Sequence, residues 1–161
     1  MEIDFILIDK LIDLIKKAYN ESKKIKNKNI KNKELNDIVT DIDIFMENKI
    51  VTAIKEWFPN HSIYAEESGK MNNSSEYEWL VDPIDGTINF ASGIPLFATS
   101  IALRKNGDTI LGIIFDYSQD DVYYCIQGKG AFCNGKPIHT SDCDKLNNSI
   151  TNYNNLSAEL E

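Results

Sequence analysis

Cysteine is sparse in this chain, and the three present, Cys125, Cys133 and Cys143, are odd in number and lack C-x-x-C spacing. Neither a disulfide framework nor a zinc ribbon is indicated, and the three are read as free thiols. Histidine is scarcer: His61 and His139 stand far apart with no ligand partner in sequence, so both are read as surface residues. No apolar run approaches the ~20 residues of a membrane span. The opening Met1-Glu2-Ile3-Asp4 is acidic where a secretory leader is basic, so the expected location is the cytoplasm and no membrane is involved. Positive charge is also in deficit. A net charge of -8 argues against a nucleic-acid partner, although lysines at 16, 17, 23, 24, 26, 28, 31 and 33 make one basic stretch. That stretch reads as a solvated helix end and loop.

What is abundant is apolar and acidic. With 161 residues, 42% of them hydrophobic, the chain is one ordinary domain or part of a larger protein, and it can bury a sizeable core. Residues 4 to 25 carry Phe5, Leu7, Ile8, Leu11, Ile12, Leu14, Ile15, Ala18 and Tyr19 on one side at a 3.6-residue period, which predicts an amphipathic helix. A Lys/Asn-rich loop follows, and a second helix is predicted from Ile42 to Trp57, ending ahead of Phe58-Pro59. Ile50, Val51, Ile54 and Trp57 share its buried face. Glu47 intrudes on that face, and is read as a partly exposed edge position with a secondary claim as a site residue. Strands are predicted at Ser62–Tyr64, Glu78–Val81, Thr99–Arg104, Thr109–Phe115 and Val122–Ile126, joined by turns short enough for an antiparallel meander. The fold class that follows is α+β, two long helices on a mainly antiparallel sheet, with no internal repeat.

The most specific stretch is Trp79 to Phe90, W-L-V-D-P-I-D-G-T-I-N-F. It sets Asp82 and Asp85 at the mouth of an apolar strand, where Pro83 directs the backbone and Gly86-Thr87 turns it. Two carboxylates so close repel unless a proton or a cation lies between them. Gly86 and Thr87 stand at the start of a predicted short helix, where backbone N–H groups suit a phosphate. Glu66 and Glu67 follow the strand at Ser62–Tyr64, so neighbouring strand ends are expected to gather all four acids. Oxygen donors without His or Cys favour Mg²⁺, or Mn²⁺, over Zn²⁺.

Upstream, Thr40 three residues before Asp43 forms a capping-box pattern for the second helix. A side chain can cap and do chemistry at once, and Asp43 is also a candidate base acting with Thr87 on a water. Gly130 to Lys136 has P-loop spacing but is a decoy. Pro137 occupies the position of the Mg²⁺-binding hydroxyl, no helix pattern follows, and Asn134-Gly135 signals a hairpin.

Four blocks in order resemble the inositol monophosphatase family of Mg²⁺-dependent, lithium-sensitive phosphatases. They are D-I-V-T-D-I-D at Asp37 to Asp43, A-E-E-S at Ala65 to Ser68, the Trp79 to Phe90 run, and G-K-G-A-F-C-N-G at Gly128 to Gly135. The resemblance runs from the first helix to about Thr140. It implies the N-terminal domain of a layered α/β sugar-phosphatase fold, residues 1–146, with 147–161 the start of a second domain or a frayed tail. It implies Glu66, Asp82, Asp85 and the backbone carbonyl of Ile84 as metal ligands. Glu67 and Asp43 would sit in or beside the metal shell, Asp43 and Thr87 would activate the nucleophilic water, and Gly86-Thr87 would receive the phosphate. Two or three Mg²⁺ ions in a complete site, a small phosphorylated polyol or sugar as substrate, and a homodimer are implied likewise.

Three departures from the family pattern stand out. Ala65 replaces a Gly, Ile88 replaces a second Thr, and the W-D motif of the family's second domain is absent, since Trp57 and Trp79 are the only tryptophans. On the resemblance the chain is therefore the metal-binding part of a phosphoric monoester hydrolase, expected to lack the second domain's ligand. Its second cation would lean on Asp82, Asp85 and water, and a sheet face that packs on the second domain would be exposed. A catalytically impaired fragment, serving as a metal-binding or protein/RNA-interaction module, is the alternative.

Overall fold

The computed structural model describes residues 3–25, 29–34, 37–71 and 73–145, with the side chains of 32–34 and 37 left aside. The expected strand start and tail at 147–161 lie outside the described residues. Helix α1 spans Phe5–Ser22 and begins where the Asp4 carboxylate accepts the Leu7 N–H at 2.9 Å. Its buried residues Ile8, Leu11, Ile15, Ala18 and Ser22 alternate at spacings of three and four, the stripe a 3.6-residue period lays down. The stretch predicted as a Lys/Asn loop contains a hairpin, β1 (Ile30–Glu34) with β2 (Asp37–Thr40). Thr40 ends β2 and caps α2 (Asp41–Trp57): its side chain accepts from the Ile42 N–H while Asp43 accepts the Thr40 N–H, completing the box.

Eight further strands form one sheet: β3 (Ser62–Ala65), β4 (Gly69–Met71), β5 (Tyr77–Asp85), β6 (Ala98–Lys105), β7 (Asp108–Asp116), β8 (Asp121–Ile126), β9 (Gly130–Cys133) and β10 (Lys136–Ile138). Their spatial order is β10-β9-β8-β7-β6-β5-β3-β4. Only β3 and β5 run parallel, and from β5 onward each strand pairs antiparallel with the next, as a meander requires. The P-loop-like segment is the β9–β10 hairpin, turned by Asn134 (φ 50°) and Gly135 (φ 78°). Short helix α3 (Thr87–Ala91) bridges β5 to the loop before β6.

Alternating residues of the long strands, among them Trp79, Val81, Ile101, Leu103, Leu111 and Ile113, bury one sheet face against α1 and α2. A second, smaller cluster of Ile42, Met46 and Ile84, ringed by Tyr19, Phe90, Phe97 and Tyr117, lies where α2 meets the end of β5. It is the floor of the acidic site. His61 is corrected from a surface residue to a half-buried one: its ring stacks on Phe58 and Tyr77, and its Nδ1 accepts the Trp79 indole N–H at 3.1 Å. Burial lowers its pKa, so the neutral ring that accepts this bond is favoured.

Candidate metal centre

Strand β5 does not stop at Val81 but carries the D-P-I-D run to Asp85. Asp82 pairs with Ser100 and Asp85 with Ala98, three steps on β5 against two on β6, which is a bulge. In a regular strand residues three apart face opposite sides; one extra residue brings them back toward the same side. The bulge is fixed from beneath. The Pro83 carbonyl accepts the Thr99 hydroxyl at 2.6 Å, and that hydroxyl also bonds the Tyr117 phenol at 2.7 Å. Ile84 sends its side chain into the small core cluster, leaving its carbonyl to accept the Thr87 hydroxyl at 2.9 Å.

Gly86 then reverses the chain at φ 90°. A Cβ here would stand 2.9 Å from the Leu96 carbonyl oxygen and 3.4 Å from Phe97 Cα, so both conformation and space call for glycine. Thr87 follows. Its hydroxyl lies 3.0 Å from Asp43 Oδ1, which joins the end of β5 to the first turn of α2. Asp43 is fully buried and its other oxygen is held by the N–H and hydroxyl of Thr40.

Glu66 and Asp82 meet across the parallel β3–β5 edge. Both line one open cleft of about 340 Å³ with Tyr64, Leu80, Val81, Ser100 and Ala102. Burial raises the Asp82 pKa to about 8, helped by the Glu66 charge, a hydrogen bond between the two carboxyls, and the charge of Asp85. The other Asp82 oxygen, Oδ1, is screened from solvent and has no hydrogen-bond partner. Such an orphaned acceptor needs a cation or a donor. Asp85 itself is exposed, and Glu67 is half-buried on the turn between β3 and β4. Among the described residues no three carboxylate, imidazole or thiol groups converge to enclose an ion by themselves. The convergent set is smaller, two carboxylates plus the nearby end of β5. That suits Mg²⁺, which is commonly held by one or two carboxylates and completes its shell with water and substrate oxygens.

Glu47 is corrected from a partly exposed edge position to a buried one, 1% exposed. Its carboxylate accepts the N–H groups of Glu67 at 2.6 Å and Ser68 at 2.9 Å, together with the Ser68 hydroxyl. The readable signal was the acid in an apolar stripe four residues after Asp43; its partners, twenty residues downstream, carried no local pattern.

Fold and site together define an α+β protein with an acid-rich, all-oxygen cluster where a bulged strand end meets a capped helix. Its relatives are known. The Inositol monophosphatase family matches residues 1–159. A fructose-1,6-bisphosphatase/inositol-1-monophosphatase of Aquifex aeolicus is 37% identical over 81% of this chain and 49% of its own length. A putative Nus factor SuhB of Neisseria meningitidis serogroup A is 40% identical over 73% of this chain and 46% of its own. Among solved structures, an IMPase/NADP phosphatase complexed with Mg²⁺ and phosphate superposes with a TM-score of 0.71 at 31% identity, covering 81% of this chain and 52% of that one. The chain belongs to the inositol monophosphatase family. It spans about half the length of the curated relatives it matches.

Proposed function

We propose that this chain carries the cation- and phosphate-handling part of a Mg²⁺-dependent phosphomonoesterase acting on a small phosphorylated polyol or sugar, with inositol monophosphate the leading candidate. The observation that supports this reading is the pairing of Glu66 with Asp82 beside the Asp43–Thr87 contact. In this reading residues 1–146 form the family's N-terminal domain.

Glu66 and Asp82, with the Ile84 carbonyl and Asp85, would hold Mg²⁺; Glu67 stands beside them. A bound Mg²⁺ supplies positive charge against the phosphoryl oxygens and makes water a better acid. The backbone of Gly86 and Thr87 receives the phosphate. The Thr87 hydroxyl has one hydrogen and two acceptors within reach, Asp43 Oδ1 and the Ile84 carbonyl. Donating to Asp43 leaves an oxygen lone pair free to take a hydrogen bond from water and aim it at phosphorus. Water oxygen forms the new P–O bond as its proton passes to the Thr87 hydroxyl and the Thr87 proton to Asp43. The bond from phosphorus to the ester oxygen breaks, and the departing alkoxide takes a proton from solvent water, whose hydroxide recovers the one left on Asp43. The products are the free alcohol and inorganic phosphate. Asp43, buried and tied to Thr40, does not swing away from this task.

The test is phosphate release from inositol 1-phosphate. The expected result is turnover that needs Mg²⁺ and is lost in Asp82→Asn; turnover that persists in Asp82→Asn or without Mg²⁺ overturns the assignment.

A second reading has its own support in the similarity to a protein named as a putative Nus factor. It makes the chain a module that binds a protein or RNA partner. A salt-sensitive pull-down unchanged by Asp82→Asn, with no phosphate release, favours it.

A further inference from the structure

We propose that Glu47 is a positioning residue for the cation site, acting by holding the Glu66–Glu67–Ser68 turn in register with Asp43. The inference rests on reading Glu66 and Asp82 as cation ligands. Three observations carry it.

The first is where the acid sits. Glu47 lies in the buried stripe of α2, between Met46 and Ile50, where an apolar residue would pack at less cost. The second is what it faces. Two backbone N–H groups and a hydroxyl, all from the turn between β3 and β4, point at its two oxygens, so it is an acceptor filled by one loop. That hairpin has its own closure, with Ala65 paired to Gly69 and Gly69 at φ 71°, so the turn itself does not call for a buried carboxylate. The third is what shares the helix. Asp43 and Glu47 are four residues apart, so their side chains stand one above the other on one face.

Four residues of α2, about 6 Å of rise, therefore link the Thr87 hydroxyl, gripped by Asp43, to the backbone of Glu67 and Ser68, gripped by Glu47. Glu66 immediately precedes that gripped pair, and its own N–H is fastened to the Val81 carbonyl at 3.0 Å. Its carboxyl is thus presented to Asp82 from a backbone pinned on both sides. Loss of the Glu47 acceptor frees one side, and Glu66 no longer meets Asp82 at a fixed distance.

The experiment is Mn²⁺ binding followed by electron paramagnetic resonance at pH 8, on the whole chain and on Glu47→Gln, Glu47→Asp and Asp82→Asn. Glutamine keeps the shape but turns an NH₂ donor toward donors. The expected result is Mn²⁺ affinity reduced about 10- to 100-fold in Glu47→Gln, an intermediate loss in Glu47→Asp, and no binding in Asp82→Asn. Amide exchange at Glu67 and Ser68 is expected to quicken in Glu47→Gln. A role in stability alone would lower the unfolding temperature and leave Mn²⁺ affinity at the parent value; that outcome, with Asp82→Asn inactive in binding, overturns the positioning role. Parent and Asp82→Asn alike in failing to bind would overturn the cation site, and the inference with it. If Glu47→Gln does not fold, Ser68→Ala carries the test by removing one donor from the turn without altering α2. A several-fold loss supports the role, and unchanged affinity refutes it.

Discussion

At the scale of single residues, Asp82 is the group most out of its ordinary state. Its pKa is raised to about 8 by burial, Glu66 and Asp85, so without a cation it holds a proton at neutral pH. An acid whose folded pKa lies above its unfolded value stabilises the fold fully below the unfolded pKa. It loses that contribution as pH rises through the folded one. With chelator present, the contribution of Asp82 should therefore fall between pH 4 and pH 8, read as the change with pH in the difference between the unfolding temperatures of the parent and Asp82→Asn. Cation and proton compete for the same oxygens, so Mg²⁺ affinity should rise over the upper part of that window. Thermal scans in EDTA and in Mg²⁺ across this range check both. Gly86 offers a second check. Gly86→Ala meets both a φ of 90° and a 2.9 Å approach to the Leu96 carbonyl, and should cost about 1–3 kcal/mol in urea denaturation.

At the scale of elements, the site is a bulge, a three-residue turn and a helix start held in mutual register. The bulge between Asp82 and Asp85 could not be read from D-P-I-D alone, because a register shift is a relation to the partner strand, here Ser100 and Ala98. The capping box was legible, because Thr40 and Asp43 are local in sequence. Thr40→Ala removes both the N-cap of α2 and the hydroxyl that steadies Asp43. It should lower stability by about 1–2 kcal/mol, measured by chemical denaturation. The periodic helices and the β5 to β8 strands were also legible, from apolar periods of 3.6 and 2. The β1–β2 hairpin was not, since its I-K-N-K-E strand is polar and shows no alternation. Glu47 and His61 were misplaced for a shared reason. Glu47 is held by Glu67 and Ser68, and His61 by Tyr77 and Trp79 as well as the neighbouring Phe58, so the deciding partners lie well along the chain while composition at the residue itself points outward.

At the scale of the molecule, the two long helices cover one face of the eight-stranded sheet. The other presents Tyr64, Ile114 and Tyr123 to solvent, and there Ile114 and Tyr123 line a shallow apolar depression of about 240 Å³ with Ala102, Gly112 and Cys125. Among the described residues no helix packs there. Apolar exposure of this kind binds hydrophobic dyes. The 161-residue chain should enhance anilinonaphthalene sulfonate fluorescence, and Ile114→Lys should reduce the enhancement without lowering helix content by circular dichroism. No described helix is long and apolar enough to cross a membrane.

The whole reading turns on whether two acids from parallel neighbouring strands share a hard cation. Crystals grown with saturating Mn²⁺, with diffraction collected at the manganese edge, answer this. An anomalous peak about 2.0–2.2 Å from the carboxylates of Glu66 and Asp82, next to the Ile84 carbonyl, is the predicted result. Ordered side chains at those positions with no peak between them would contradict it.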